Sequence, residues 1–273
     1  MNSAVKDILI IPDVHGRLFW KAAFEKYEPL LKEHKMQCVF LGDYVDPYDR
    51  EIDAGEAYGY KQTVDNFAEI IEKKKECGRS VTLLLGNHDL QYVDEYSEGE
   101  ACKCRYMWGQ SKRIKSLLND NWKLFSLGYE TVLDDGRRCL FTHAGVVKAW
   151  VDVRFDNMAE SDITAAWLDS FLVDKSKLYI MADVGEDRGG RGYGSPVWAD
   201  VEEFYWGWQN EKARTHSPEI RQTMYTGIYQ VFGHTLYNIY GGGSDDFVIN
   251  DHFAMLDARR AFVMHSDGKI ETI

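Results

Sequence analysis

Five apolar segments of the chain end in side chains that can bind metal ions or transfer protons. They read "ILIIPDVHG", "CVFLGDYVD", "VTLLLGNHD", "RCLFTHAG" and "YQVFGHT". Their polar endings supply Asp13, His15, Asp43, Asp46, Asn87, His88, Asp89, His143 and His234. Carboxylate, imidazole and amide ligands without a thiolate suit Mn²⁺, Fe or Zn²⁺ better than copper or an iron–sulfur cluster.

Each ending also has an ordinary structural explanation when it is considered alone. A Gly-Asp pair after a strand is commonly a turn, and a single buried histidine is commonly a hydrogen-bonded core residue. Five such endings, each placed directly after an apolar segment, are hard to obtain by chance. As a set they indicate one assembled site.

The first third of the chain alternates strands and helices, which explains how the endings could meet. Ile8–Ile11, Cys38–Leu41 and Val81–Leu85 are predicted strands, and apolar residues at helical spacing predict helices within residues 17–34 and 60–78. Fully apolar strands separated by helices indicate a parallel sheet that is covered on both faces. Loops at the carboxyl ends of such strands converge, and ligands bind there.

The number of candidate ligands indicates more than one metal ion. A single catalytic zinc takes about three ligands from the protein, whereas six are available here: Asp13, His15, Asp43, Asn87, His143 and His234. Two metal ions about 3.5–4 Å apart, bridged by one carboxylate, would account for this number.

The rest of the chain predicts a second group of strands. The segment "YETVLDDGRRCLFTH" is typical of a hairpin that turns at Asp135-Gly136, and strands are predicted again beyond residue 228, with turns at 241–243 and at Asp267-Gly268. A parallel half followed by a more antiparallel half predicts two stacked sheets with helices outside. Without repeats or low-complexity linkers, we expect a single domain over residues 1–273, with helical or irregular inserts at about 91–127 and 146–227.

Composition restricts the class of partner. The formal net charge of -12 argues against binding to nucleic acid or to anionic membranes, which requires a basic surface. A phosphorylated substrate stays compatible with this charge, because a bound divalent cation reverses the local sign. The five cysteines form no C-x-x-C pair, and no apolar stretch is long enough to span a bilayer, so we expect reduced thiols and a cytoplasmic protein.

The motifs "DVHG", "GDYVD", "GNHD", "THAG" and "GHT", in this order, resemble those of the calcineurin-like metallophosphoesterase superfamily. The pattern is most similar to the branch that contains phosphoprotein phosphatases and symmetrical diadenosine tetraphosphatases, and "SPVWAD" resembles a further stretch of that branch. Leu236 stands where the histidine-rich phosphodiesterase branch has a second histidine. The resemblance implies an α/β fold, a four-layer α/β/β/α sandwich of two mixed sheets flanked by helices, with the metal site at the carboxyl ends of the strands.

The resemblance also implies roles for individual residues. The first metal would be held by Asp13, His15 and Asp43, and the second by Asp43, Asn87, His143 and His234. Mn²⁺ is the expected metal, with Fe, Zn, Ni or Co as alternatives. Hydrolysis would proceed by in-line attack of a hydroxide that bridges the two metals. His88 would protonate the leaving group, with Asp46 orienting its ring; alternatively, Asp46 only caps its loop.

One departure from the phosphatase pattern concerns phosphate binding. Pro47 and Leu85 occupy positions at which that branch has arginines. The substrate-binding arginine would have to be Arg105, Arg50 or Arg188, each of which is also plausible as a surface residue, and Arg105 is preferred. The loop "GEDRGGRGYGSP" lacks the G-K-[ST] of a P-loop, so it is either a mobile loop near the site or an ordinary surface loop.

Three functions are compatible with these residues. The preferred one is hydrolysis of phosphomonoesters, with a phosphoprotein or a small phosphorylated molecule as substrate. The second is hydrolysis of a dinucleoside polyphosphate or of another phosphoanhydride or phosphodiester, since the same metals would serve. The third is a catalytically silent scaffold, against which the complete ligand set argues.

Overall fold

The structure, a computed structural model, describes residues 6–96, 104–201, 203, 225–235 and 247–273. Within these ranges the strands, in chain order β1 to β11, are Ile8–Ile11, Gln37–Phe40, Val81–Leu84, Phe125–Ser126, Tyr129–Val132, Arg138–Phe141, Ile228–Phe232, Val248–Ile249, Phe253–Met255, Phe262–Met264 and Ile270–Thr272. The α-helices of the same ranges, α1 to α7, are Phe19–Lys32, Asp49–Asp53, Tyr60–Cys77, Asn87–Leu90, Ser111–Asp120, Lys148–Phe155 and Ala165–Val173.

The strands form two mixed sheets. The first has the order β11-β10-β1-β2-β3-β4, in which β1 to β4 are parallel and the last two strands of the chain are antiparallel. The second has the order β5-β6-β7-β9-β8, in which β6, β7 and β9 are parallel and the two edge strands are antiparallel. Three parallel strands at the centre of each sheet therefore direct their carboxyl ends the same way.

Alternation along the strands separates two sets of core residues. Ile8 and Ile10 of β1 belong to the cluster between the two sheets, whereas Leu9 and Ile11 face the helices. The inter-sheet cluster also contains inward residues of both sheets, which include Val39, Leu41, Leu84, Cys139, Phe141, Tyr229, Val231 and Ala254. Each central strand is thus buried on both faces, which explains its almost continuous apolar sequence.

Helices cover the outer faces of the sheets. In α3 the buried residues Val64, Phe67, Ile70 and Ile71 recur at helical spacing, and the helix ends at Gly78, whose φ of 59° suits glycine. Helices α1 and α3 pack on the first sheet, and the buried residues of α6 and α7 belong to the cluster that includes the outer residues of the second. The expected two mixed sheets flanked by helices are therefore confirmed.

Two features differ from the sequence-based expectation. The chain does not divide into a parallel half and an antiparallel half, because β10 and β11 return to the first sheet, where β10 pairs with β1. The predicted insert at 91–127 also supplies a strand, since β4 pairs with β3 at the edge of that sheet. The turn at 241–243, Leu236, and parts of both predicted inserts lie outside the described residues. No helix among the described residues is long and apolar enough to cross a bilayer.

Candidate metal centre

The six central parallel strands bring their polar endings to one place. Asp13 follows β1, Asp43 follows β2, His143 follows β6 and His234 follows β7. Contacts cross from one sheet to the other: His143 Nε2 lies 3.5 Å from Asp43 Oδ2, and the backbone N–H of His234 donates to both carboxylate oxygens of Asp13 at 3.1 Å. The site therefore lies where the carboxyl edges of the two sheets meet.

His15 faces Asp43 with a lone pair. Its Nδ1 donates a hydrogen bond to the carbonyl oxygen of Val45 at 2.8 Å, which leaves Nε2 as an acceptor. That Nε2 lies 3.3 Å from Asp43 Oδ2, which is itself an acceptor. Burial, together with the positive charge of Arg105, lowers the pKa of His15 to about 3, so the ring is neutral and cannot donate to the carboxylate.

His143 repeats this arrangement in the second half of the site. Its Nδ1 donates to the carbonyl oxygen of Leu41 at 2.7 Å, so Nε2 carries the lone pair. This atom faces Asp43 Oδ2, Asn87 Oδ1 at 3.1 Å and His234 Nδ1 at 3.1 Å. Burial lowers the pKa of His143, so this ring is neutral as well.

The imidazole of His234 also reaches the cluster, with its Nδ1 3.1 Å from His143 Nε2. Its Nε2 has no hydrogen-bond partner in the part of the chain that the structure describes. Burial and the positive charge of Arg188 hold the pKa of His234 well below its usual range. With the ring neutral, one of its two nitrogens carries a lone pair that can bind a cation.

The donor set fits divalent cations. Among the described residues, two groups of three side chains, His15 with Asp43 and His88, and Asp43 with His143 and His234, each place ligand atoms within 4.8 Å of one another. Both groups share Asp43, as a bridging carboxylate requires. The histidine Nδ1–H bonds to carbonyl oxygens are those that orient metal-binding imidazoles in proteins.

The local backbone is strained at the same residues. His15, Asp43, Asp46 and His234 have φ values of 43°, 53°, 58° and 67°, in the left-handed region that non-glycine residues seldom adopt. Such conformations persist only where the surrounding structure imposes them, and they concentrate at functional sites. Backbone strain thus marks four of the residues that the sequence pattern predicts for the site.

His88 and Asp46 are hydrogen-bonded to each other. His88 Nδ1 donates to Asp46 Oδ2 at 2.9 Å, and Arg105 Nη2 donates to His88 Nε2 at 2.8 Å. Burial raises the pKa of Asp46, and the hydrogen bond with His88 opposes that shift. His88 is therefore oriented by a buried carboxylate, while its outer nitrogen faces a guanidinium.

Comparison with known proteins identifies the family. The family model described as calcineurin-like phosphoesterase matches residues 6–238. The chain belongs to this family. No curated protein matches it at a significant level.

Two solved structures illustrate how distant the structural relatives of this calcineurin-like phosphoesterase are. A "putative diadenosine tetraphosphatase" has 14% identity and a TM-score of 0.46, with 100% of this chain and 94% of that chain covered. A protein serine/threonine phosphatase from Saccharomyces cerevisiae, with similarity to human phosphatase PP5, has 14% identity and a TM-score of 0.41, with 99% and 80% covered. At these values neither similarity bears on the substrate of this chain.

The three candidate arginines of the phosphoesterase domain lie in different surroundings. Arg105 contacts His88 and stacks over the ring of Tyr48, with its guanidinium carbon 3.6 Å from the ring centroid. Arg188 forms an ion pair with Asp200 and donates to Thr235 Oγ1 at 2.9 Å. Arg50 is exposed, and its guanidinium carbon lies 5.3 Å from the centroid of the Tyr48 ring. Arg105 is the one that contacts both His88 and Asp46.

Sequence reasoning missed Asp89 as a structural part of the site. Its Oδ2 accepts from the backbone N–H groups of Asp43 at 2.8 Å and Gly86 at 2.9 Å, and its Oδ1 accepts from that of Tyr44 at 2.9 Å. One carboxylate therefore ties the loop after β2 to the loop after β3. Nothing in the motif distinguishes this role from that of a ligand.

Asp257 is a second residue that was missed. It follows β9, the third parallel strand of the second sheet, and it is buried 3.7 Å from Arg17 Nη1. Arg17 in turn donates to the carbonyl oxygen of Asp13 at 3.0 Å. Burial raises the pKa of Asp257 to about 6, and the negative charge of Asp43 contributes. The segment "FAMLD" has the same strand-then-aspartate pattern as the other endings, and this signal could have identified it.

Proposed function

We propose that this phosphoesterase hydrolyses phosphomonoesters and that it requires two divalent metal ions. One observation carries the proposal: neutral His15 and His143 direct lone pairs at the carboxylate of Asp43. Buried acceptors that face one another are mutually repulsive, and a cation between them turns the repulsion into coordination.

The proposed ligands divide into two groups. The first ion is assigned to Asp13, His15 and Asp43, and the second to Asp43, Asn87, His143 and His234. Mn²⁺ is the expected ion, because oxygen and imidazole donors predominate, with Fe, Zn, Ni or Co as alternatives. When bound, two such cations supply an activated water at neutral pH and neutralise the charge of the phosphate.

We assign the acid role to His88. Donation from its Nδ1 to buried Asp46 stabilises a positively charged ring, and Nε2 is then the atom that protonates the leaving oxygen. Arg105 faces this atom in the structure. Its guanidinium can pair with two phosphate oxygens, so a bound phosphate competes for Arg105 and releases His88 Nε2.

The proposal includes a cytoplasmic location, a single domain over residues 1–273 and the inserts at about 91–127 and 146–227. Among the described residues Cys38, Cys77, Cys104 and Cys139 are free thiols, which is compatible with a reducing compartment. The proposed substrate is a phosphorylated protein or a small phosphorylated molecule.

Hydrolysis assays on metal-depleted protein test this function. The protein is treated with chelator, reloaded separately with Mn²⁺, Fe²⁺, Zn²⁺, Ni²⁺ or Co²⁺, and assayed with p-nitrophenyl phosphate, bis-p-nitrophenyl phosphate and a dinucleoside polyphosphate. We expect activity only after reloading, with the monoester preferred. Preference for the diester or the polyphosphate would replace the monoesterase proposal, and inactivity with every metal would favour a silent scaffold.

Two variants separate metal binding from proton transfer. Asp43→Asn should lose metal content together with activity, because Asp43 faces both groups of ligands. His88→Asn should retain two metals by elemental analysis, while kcat falls by about 10²–10⁴-fold. His265→Asn is the matched control, since His265 is partly exposed and pairs with Asp7 outside the site. Unchanged kcat in His88→Asn would refute the acid role.

A further inference from the structure

A cleft adjoins the hydrogen-bonded pair of His88 and Asp46, on the side of Arg105. Its volume is about 750 Å³, and its lining includes Tyr48, Arg50, Tyr60, Arg105 and Trp108. Pockets that bind small molecules usually measure about 300–1,000 Å³. Tyr48 connects the cleft to the metal centre, because its ring packs edge-on against that of His15 with centroids 5.4 Å apart.

Residues 105–110 form one wall of this cleft, and this wall is anchored to Asp46. Arg105 Nη1 donates to the carbonyl oxygen of Asp46 at 2.9 Å, and the N–H of Asp46 donates to Met107 Sδ at 3.3 Å. Tyr92 donates its hydroxyl hydrogen to Asp46 Oδ1 and accepts from the N–H of Met107 at 2.8 Å. The wall is therefore held in a fixed position relative to the residue that orients His88.

The lining of the cleft presents aromatic rings to the solvent. Trp108 is 71% exposed and rests against Tyr106 with ring centroids 4.6 Å apart, while Tyr60 is 48% exposed. Trp108 follows Arg105 by three residues, so their Cα atoms can be at most about 11 Å apart. A molecule whose phosphate lies at Arg105 needs only the length of a small metabolite to reach the indole ring.

We propose that the cleft binds the leaving group of the substrate and that this leaving group carries a planar ring, which stacks on Trp108. The inference rests on the proposed function, which places the phosphate between the metals and Arg105. An exposed indole can stack on any planar ring. The proposed substrate class is therefore a phosphate ester of a nucleoside or of a phenol. Arg50 and Tyr48 also line the cleft, with the guanidinium carbon of Arg50 5.3 Å from the centroid of the Tyr48 ring.

A matched pair of substrates tests the ring requirement. Adenosine 5′-monophosphate and ribose 5-phosphate have the same kind of leaving alcohol and differ in the base. We expect the wild type to prefer the nucleotide in kcat/KM, and Trp108→Ala to lower kcat/KM for the nucleotide by roughly 5- to 150-fold with little change for ribose 5-phosphate. Trp108→Phe should retain most of the preference.

Tyr179→Ala is the matched control, because Tyr179 is 45% exposed and does not line the cleft. Phosphotyrosine and phosphoserine form the second substrate pair, and a larger effect of Trp108→Ala on phosphotyrosine than on the nucleotide identifies a phenol as the natural ring. Equal losses for ring-bearing and ring-free substrates in Trp108→Ala, or no loss at all, would overturn the inference.

A binding measurement keeps this inference separate from the catalytic proposal. Saturation-transfer NMR with adenosine and with N-acetyl-tyrosinamide requires neither a metal nor turnover. We expect at least one of these ligands to bind to the wild type and to Tyr179→Ala, and to bind more weakly to Trp108→Ala. If the enzyme is inactive but this pattern holds, only the proposed function fails; if neither ligand binds, the cleft inference fails.

Discussion

Replacing Asp89 with asparagine tests whether one buried carboxylate holds the metal-binding loops together. Aspartate presents two acceptor oxygens to three backbone N–H groups, two on Oδ2 and one on Oδ1. Asparagine has the same shape but only one acceptor oxygen. If that oxygen replaces Oδ2, the amide NH₂ points at the N–H of Tyr44, and two donors then face each other.

The expected cost follows from these three bonds. Leaving the buried N–H of Tyr44 without an acceptor costs about 1–3 kcal/mol, and the two remaining bonds lose the extra strength of a charged acceptor, about 1 kcal/mol each. An opposing effect reduces the sum, because burial and the negative charge of Asp43 raise the pKa of Asp89 and so disfavour its charged form. We therefore expect Asp89→Asn to lower the free energy of unfolding by about 2–4 kcal/mol.

Urea unfolding in the presence of chelator measures this change without a contribution from bound metal. The midpoint should fall while the slope stays constant. Asp94→Asn is the control: the side chain of Asp94 is exposed and pairs with Lys115, so the change should stay within about 0.5 kcal/mol. Mn²⁺ affinity of Asp89→Asn should also fall by about 10–100-fold, because Asp43 loses its support. A loss below about 1 kcal/mol with unchanged affinity would refute the reasoning.

Three further predictions concern the same region. Gly86→Ala should abolish metal binding, since a Cβ there would lie 2.1 Å from Asp43 Oδ1, whereas Gly192→Ala, which has open space, should bind metal normally; titration with Mn²⁺ compares the two. Arg105→Ala should raise KM for a phosphomonoester by about tenfold or more, because a charged partner of the phosphate is lost, while Arg113→Ala, at an exposed ion pair, should leave KM unchanged. In metal-free protein, the free energy of unfolding of Asp257→Asn should increase relative to that of the wild type as the pH rises from 4 to 7, by up to roughly 3 kcal/mol. The sign follows from the raised pKa of about 6: the fold favours the protonated carboxyl, so the wild type loses that contribution as the pH rises through 6. A constant difference across this range in urea unfolding would contradict it.

The sequence by itself determined the strand endings and hence the composition of the candidate site. Each apolar strand is buried on both faces, so a polar residue at its end must lie outside the core, at the sheet edge. The predicted residues Asp13, Asp43, His143 and His234 meet there because β1, β2, β6 and β7 are parallel strands of their sheets. Local patterns are sufficient for this part, since period and burial are properties of a few consecutive residues.

Those local patterns do not determine which strands pair with each other. An apolar strand near the C-terminus could join either sheet, because its alternation specifies which face is buried but not which neighbour it pairs with. The tertiary structure places β10 beside β1 and leaves β9 in the second sheet, where it brings Asp257 to the site. The pattern of "FAMLD" makes Asp257 a candidate, but only the pairing of β9 with β7 shows that it lies near the other strand endings.

Only the tertiary structure decided what surrounds the ligands. Arg105 contacts Asp46 across 59 residues of sequence, and the wall that carries Trp108 depends on that contact. Whether His15 and His143 are neutral depends on their burial and on hydrogen bonds to distant carbonyl groups. Electrostatics and side-chain contacts are set by atoms that are close in space and remote in sequence, so no local pattern contains them.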